Sequence, residues 1–142
     1  MRGGYVHNHI LLDPIEKEAL RFGAQVDREV AIRVDGRVLY GDLLILGGSK
    51  RILIEAELSP KRILNDVAKA AALGLCELWV VVPNPRVARS VRRRVLKQSV
   101  ELGARLFVLL LPQALQRLEE ILELNSWSNV DSGKKTTNQL DQ

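Results

Sequence analysis

Gly41-Asp42-Leu43-Leu44-Ile45-Leu46-Gly47-Gly48-Ser49-Lys50-Arg51-Ile52-Leu53-Ile54-Glu55-Ala56-Glu57 is the stretch whose folding decides the rest. Two apolar runs flank Gly47-Gly48-Ser49-Lys50, a cluster of turn formers, so the stretch reads as two strands folded back on each other. If Leu46 and Arg51 close the turn, the numbers of opposed residues sum to 97 and Asp42 falls across from Glu55. Directly opposed residues share a face of the sheet, with Cβ atoms about 5 Å apart. Glu57 alternates onto the face of Glu55, while Ile52, Ile54, Ala56 and Leu58 point the other way, into the core. Three carboxylates gathered on otherwise apolar strands repel one another and call for a cation. A hard divalent ion, Mg2+ (or Mn2+), held by one or two carboxylates and keeping several waters, meets that need. Such an ion polarises a phosphoryl oxygen and activates a water, which is metal-assisted phosphodiester hydrolysis.

Outward from this hairpin, Asp35-Gly36 is a strong two-residue turn between an alternating run, about Arg28 to Val34, and a strand from about Arg37 to Leu46. With a third strand from Arg51 to Leu58, these make an antiparallel meander. Ahead of it, Asp13-Pro14-Ile15-Glu16 has the chemistry of a helix start: Asp at the N-cap, Pro at the first helical position, Glu closing a capping box. Ile15, Ala19 and Phe22 give that helix its buried stripe, and it ends near Gly23. Behind the meander, Ser59-Pro60 opens a second helix that Gly74 ends. Leu78 to Val82 is an apolar strand stopped by Pro83-Asn84-Pro85, and a third helix covers about Arg86 to Leu102. Leu106 to Leu111 is wholly apolar and is expected in the middle of a sheet covered on both faces. Pro112 opens a last helix to about Leu124. The order is αβββαβ followed by an α-β-α extension. It predicts one α/β domain over residues 1–124, a mixed sheet with helices on both faces. Residues 125–142, rich in Ser, Asn, Thr, Gln and Lys, are expected to form a disordered tail.

Element order and acidic residues together resemble the PD-(D/E)XK nuclease-like (restriction endonuclease-like) superfamily. Gly41-Asp42-Leu43-Leu44-Ile45, a hairpin, then Ile54-Glu55-Ala56-Glu57 is similar to that family's Asp, spacer and Glu-x-Lys segment. The family's αβββαβ core is similar to this chain from about Pro14 to Val82. The resemblance implies Asp42 and Glu55 as metal ligands of a Mg2+-dependent endonuclease acting on DNA. It departs at Glu57, where the family usually has Lys; a minority of restriction enzymes with this fold carry Glu there and remain active. Glu57 would be an added ligand or the base that orients water. Lys61 or Arg62 would supply the cation beside the scissile phosphate, with Lys69 a remoter source. Glu29, Glu16 and Glu18 are weaker candidates for a further acidic ligand. The alternative is the same fold with a lapsed site, used to bind nucleic acid or a protein partner.

Charge is unevenly spread. From Asn84 to Arg105 the net charge is +6, against +4 for the whole chain, so one segment supplies all the basicity. On a helical wheel Val87, Ala88, Val91, Val95 and Leu102 form the buried stripe. Arg86, Arg89, Arg93 and Lys97 fall opposite, flanked by Arg92 and Arg94. Such a row suits a phosphate backbone, with an ordinary solvated face as the plainer reading. Leu96 and Val100 toward the basic side hint at a second subunit, and hence a homodimer. An assembly module working through the Val- and Leu-rich later helices is a third reading, with no motif behind it.

His7-Asn8-His9 spells the name of a nuclease motif whose residues are scattered along the chain, so the tripeptide is a coincidence. His7 and His9 still precede the first helix within reach of the acidic residues. Cys76 reads as a buried inert thiol, Trp79 as core, and Trp127 as a tail residue that packs back or serves a partner. Gly47-Gly48 has no helix start behind it and is no phosphate loop. Only 4% of residues are aromatic, so Leu, Val, Ile and Ala must build the core. No apolar run reaches the roughly 18 residues of a membrane span. No secretory signal layout is present and the single cysteine excludes an internal disulfide framework, so a cytoplasmic protein is expected.

Overall fold

The computed structural model describes residues 2–74, 77–97 and 105–123. In chain order these form α1 (Arg2–Tyr5), a π-helical stretch (Val6–Leu12), α2 (Asp13–Arg21), β1 (Gln25–Val34), β2 (Arg37–Gly47) and β3 (Lys50–Ala56). A 3-10 turn (Pro60–Arg62) then leads into α3 (Ile63–Leu73), β4 (Glu77–Val82), α4 (Pro85–Lys97), β5 (Leu106–Leu110) and α5 (residues 111–123). Cys76, Leu102, Val100, Trp127 and the tail 125–142 lie outside the described residues. None of the described helices is long and apolar enough to cross a membrane.

Turn chemistry sets the meander. Asp35 and Gly36 both take positive φ, 48° and 81°, the pair of values that lets a two-residue turn follow strand twist. At the second turn Gly48 has φ 58°, and Leu46 stands opposite Arg51, the register expected from sequence. β4 and β5 then add in parallel, giving a five-stranded mixed sheet in the order β1-β2-β3-β4-β5. The two parallel crossovers lay α3 and α4 on one face, as right-handed connections must. There Ile63, Ala70, Val87, Ala88 and Val91 pack on Leu53, Leu78, Val80 and Val82. Leu11, Leu12, Ile15, Ala19, Ala114, Leu118 and Leu122 cover the other face, over Leu43, Ile45, Ile52, Ile54 and Trp79. Trp79 is thus core, as its strand predicted.

Two expectations are corrected. Asp13 is not an N-cap: its φ and ψ of −57° and −44° are helical, and the helix runs on through the π-helical stretch to Arg2. Leu11 and Leu12 dock on the sheet and hold that extension, while the Asp13 N–H bonds the Asn8 carbonyl five residues back. The Asp13 carboxylate serves Arg28 and His9 instead of capping. Secondly, β5 lies at the edge of the sheet and not in its middle. Its all-apolar sequence reports that both faces are covered: Phe107 and Leu109 join one core layer, Leu106, Val108 and Leu110 the other. That signal is blind to the neighbour alongside. Arg92 reaches over to the Val108 carbonyl at 3.0 Å, placing a charge at this edge.

The β1–β2 ribbon changes sides part-way along. Val26 and Arg28 face α2, where Arg28 binds Asp13 and Glu16 at 2.7 Å each. Val30, Ile32 and Val34 face α3. On β2, Leu43 and Ile45 face α2 but Leu39 faces α3. Strict alternation would keep each set on one side. The crossing occurs at Glu29, whose φ of 50° is left-handed, opposite Asp42; this rung is missing from the ladder. A non-glycine residue held there costs roughly 1 kcal/mol, so the surrounding packing must enforce it.

Candidate metal centre

The same crossing opens a cleft. The β2–β3 ladder stops at Leu43 opposite Ile54, so the rung expected between Asp42 and Glu55 does not form. A continued ladder would give the Ala56 N–H to a β2 carbonyl; here it donates to Asp42 Oδ2 at 2.8 Å. β2 thereby leaves β3, and Lys69 from α3 enters the gap. Its Nζ donates to the Tyr40 carbonyl at 2.8 Å and to Glu55 Oε1 at 3.3 Å, and lies 3.5 Å from Asp66 Oδ1. Gly41 leaves room for this arrangement, since a Cβ there would stand 2.8 Å from Leu53 Cδ1 and 3.3 Å from Glu55 Oε2.

The cleft holds about 500 Å³. Asp42, Glu55, Glu57 and Lys61 all line it, together with His7, Tyr40, Arg62 and Lys69. Behind its wall Asp66 joins two of these residues: carboxylate oxygens of Glu55, Glu57 and Asp66 lie within 4.8 Å of one another. Glu55 and Asp66 are 2% and 0% exposed, and Glu57, just past the end of β3, is tethered by its N–H to the Val81 carbonyl at 3.0 Å. Asp42 contributes differently: besides Ala56, its Oδ2 meets His7 Nε2 at 3.0 Å.

Burial dominates the electrostatics. Desolvation raises the Glu55 carboxyl well above the ordinary range, and the Asp42 charge adds to it. Asp66 is raised for the same first reason, with the neighbouring Glu57 carboxyl next. Burial works against charge on Lys69, but Glu55 and Asp66 outweigh it and keep the ammonium protonated. His7 is pushed up to about 9, chiefly by its hydrogen bond to Asp42, and is a cation at neutral pH.

These residues suit a hard cation. When ionised, Glu55 Oε2 and both Asp66 oxygens are buried acceptors with no hydrogen-bond partner. An all-oxygen set of this kind suits a hard cation better than a softer one. Asp66 was not among the residues expected to bind metal. Its signal lay in α3, where Ile63, Asp66, Lys69 and Ala70 share the buried stripe, placing a carboxylate and an ammonium one turn apart on an apolar face.

The remaining candidates are engaged or remote. Glu16 pairs with Arg28, Glu18 with Arg21 at 2.9 Å, and His9 with Asp13 at 2.9 Å. Glu29 is exposed and does not line the cleft. On α4, Val87, Ala88 and Val91 are buried, while Arg86, Arg89, Arg93 and Lys97 are exposed and form no ion pair among the described residues. Asn84 caps the helix, its Oδ1 accepting from the Val87 N–H at 2.9 Å. A pocket of about 200 Å³ between Ser59, Pro60, Arg86 and Ser90 shares Leu58 and Ser59 with the acidic cleft, so the row begins at the cleft's border. No protein-family model matches the chain, and no curated protein or solved structure matches it.

Proposed function

We propose that this protein is a Mg2+-dependent, PD-(D/E)XK-like nuclease that hydrolyses DNA phosphodiester bonds. The observation that carries the reading is the set Glu55, Glu57 and Asp66: three carboxylates within 4.8 Å, two of them buried with oxygens that lack a hydrogen bond, at a cleft lined by cations. Glu55 and Asp66, with Glu57, would hold the ion, and Asp42 would orient His7 beside it. A bound ion would supply a polarised phosphoryl oxygen and an activated water. Lys69 takes the part of the lysine that Glu57 displaces, since its Nζ already sits on Glu55. Lys61 and Arg62 stand nearer the mouth, where a phosphate enters. The test is a cleavage assay with Mg2+ or Mn2+ on single-stranded, duplex and branched DNA. Glu55→Gln and Asp66→Asn should each cut the rate by about a hundredfold or more. Cleavage that survives both changes would assign the activity elsewhere.

One observation favours a second reading. Lys69 already neutralises part of the cluster, which a site that no longer holds metal would also need. In that case the fold binds nucleic acid or a protein partner without cutting. DNA binding through α4, with no cleavage and no effect of metal on melting, is its signature.

A further inference from the structure

We infer, resting on the nuclease reading, that the cleft takes an unpaired DNA strand with one base stacked on Tyr40. Aromatic residues are scarce in this chain: two Trp, two Tyr and two Phe. Trp79 is buried and Phe22 and Phe107 pack against the core, yet both tyrosines are exposed, Tyr5 by 59% and Tyr40 by 61%. Tyr5 is stacked near His9, with ring centroids 5.2 Å apart. The Tyr40 ring has no ring or cation partner among the described residues, and Tyr40 is one of the residues that line the acidic cleft. Its backbone is held from behind, because its carbonyl accepts a hydrogen bond from the Lys69 ammonium that also reaches Glu55. An open aromatic ring on a backbone anchored beside the carboxylate cluster is a stacking platform for a base.

Depth argues for an unpaired strand. Glu55 lines the cleft yet is only 2% exposed, and Asp66 lies behind it, so a phosphate must descend to reach an ion held there. A space of about 500 Å³ is the size of a small-ligand site. In a duplex every base is already paired and stacked, so none is free to lie on Tyr40. A single nucleotide with its base turned out can lie there, as in enzymes that act on extruded bases. Lys61 and Arg62 line the same cleft and would hold flanking phosphates.

The experiment measures binding of labelled oligothymidylate, and of the same strand paired with oligoadenylate, by fluorescence anisotropy in chelator. Without metal, affinity is read independently of cleavage. The single strand should bind at least about tenfold tighter than the duplex, and Tyr40→Ala should lose about tenfold for the single strand alone. Tyr40→Phe should keep wild-type affinity, since stacking needs the ring and not the hydroxyl. Equal or tighter duplex binding by the wild-type protein overturns the inference without any variant. So does wild-type affinity in a Tyr40→Ala protein that melts normally. Cleavage of the same DNAs with Mg2+ separates the two ideas. Tyr40-dependent single-strand binding without cleavage sinks the enzyme reading alone. Cleavage with duplex preference sinks the present inference alone, and absence of binding to either DNA sinks both.

Discussion

Burial fixes the chemistry of Glu55 and Asp66 before any ion arrives. The folded protein keeps protons on these carboxyls that the unfolded chain releases, because desolvation raises both above their ordinary values. That part of the stability is complete below about pH 4 and drains as pH rises. His7 acts in the same direction: raised from 6.5 to about 9, its contribution is complete below pH 6.5 and is lost as pH passes about 9. In chelator, the melting temperature should therefore fall from about pH 5 to about pH 9. Asp66→Asn copies the protonated carboxyl. It should leave stability within about 1 kcal/mol of wild type near pH 6 and flatten the decline above it. A melting temperature that climbs with pH would show these groups to be ionised in the fold. Single residues also mark the limit of sequence reading. Asp42, Glu55 and Glu57 were visible because their spacing fits a hairpin, and Lys61 because it follows that hairpin at the next helix start; all four line the cleft. Asp66 was hidden because its partners come from another element, and only tertiary packing brings α3 against β3.

Among elements, α4 separates most cleanly from the chemistry. Its apolar stripe is buried, its basic row is open, and only its first turn approaches the cleft. If the row follows a phosphate backbone, log affinity should fall linearly with log salt concentration, by about 0.9 for each duplex phosphate contacted and about 0.7 for a single strand. Reversing Arg89 and Arg93 to Glu should weaken binding for every sequence alike and lower that slope, because phosphate contacts position without reading bases. Metal binding should survive the change. Salt-independent binding would reduce the row to solvated surface. The elements themselves were largely legible, since turn and cap residues act over three or four positions. Glu29 was not: nothing in its neighbours announces a left-handed residue inside a strand, and the packing of two layers imposes it. The π-helical stretch escaped for a related reason, as Asp13-Pro14 satisfies the local rules for a helix start while Leu11 and Leu12 dock a longer one.

For the whole molecule, the cluster is a load on folding that an ion would lift. Millimolar Mg2+ or Mn2+ should raise the melting temperature, by an amount equivalent to about 2.7 kcal/mol at a hundredfold excess over the dissociation constant. Glu55→Gln should blunt that rise, and a flat response to both metals would remove the metal from the account. The α/β architecture and the register of the central hairpin follow from the sequence; the edge position of β5 does not, because parallel neighbours are chosen by packing and not by turns. The β1–β2 ribbon carries one further implication. Elsewhere a slip of one residue would turn every side chain to the wrong layer, but here a change of side is already built in at Glu29 and Asp42. The outer part of the ribbon, from that crossing to the Asp35-Gly36 turn, can lengthen or shorten by matched pairs without altering what faces the carboxylates. Length changes are thereby confined to the tip of the ribbon beyond Tyr40, whose carbonyl stays on Lys69.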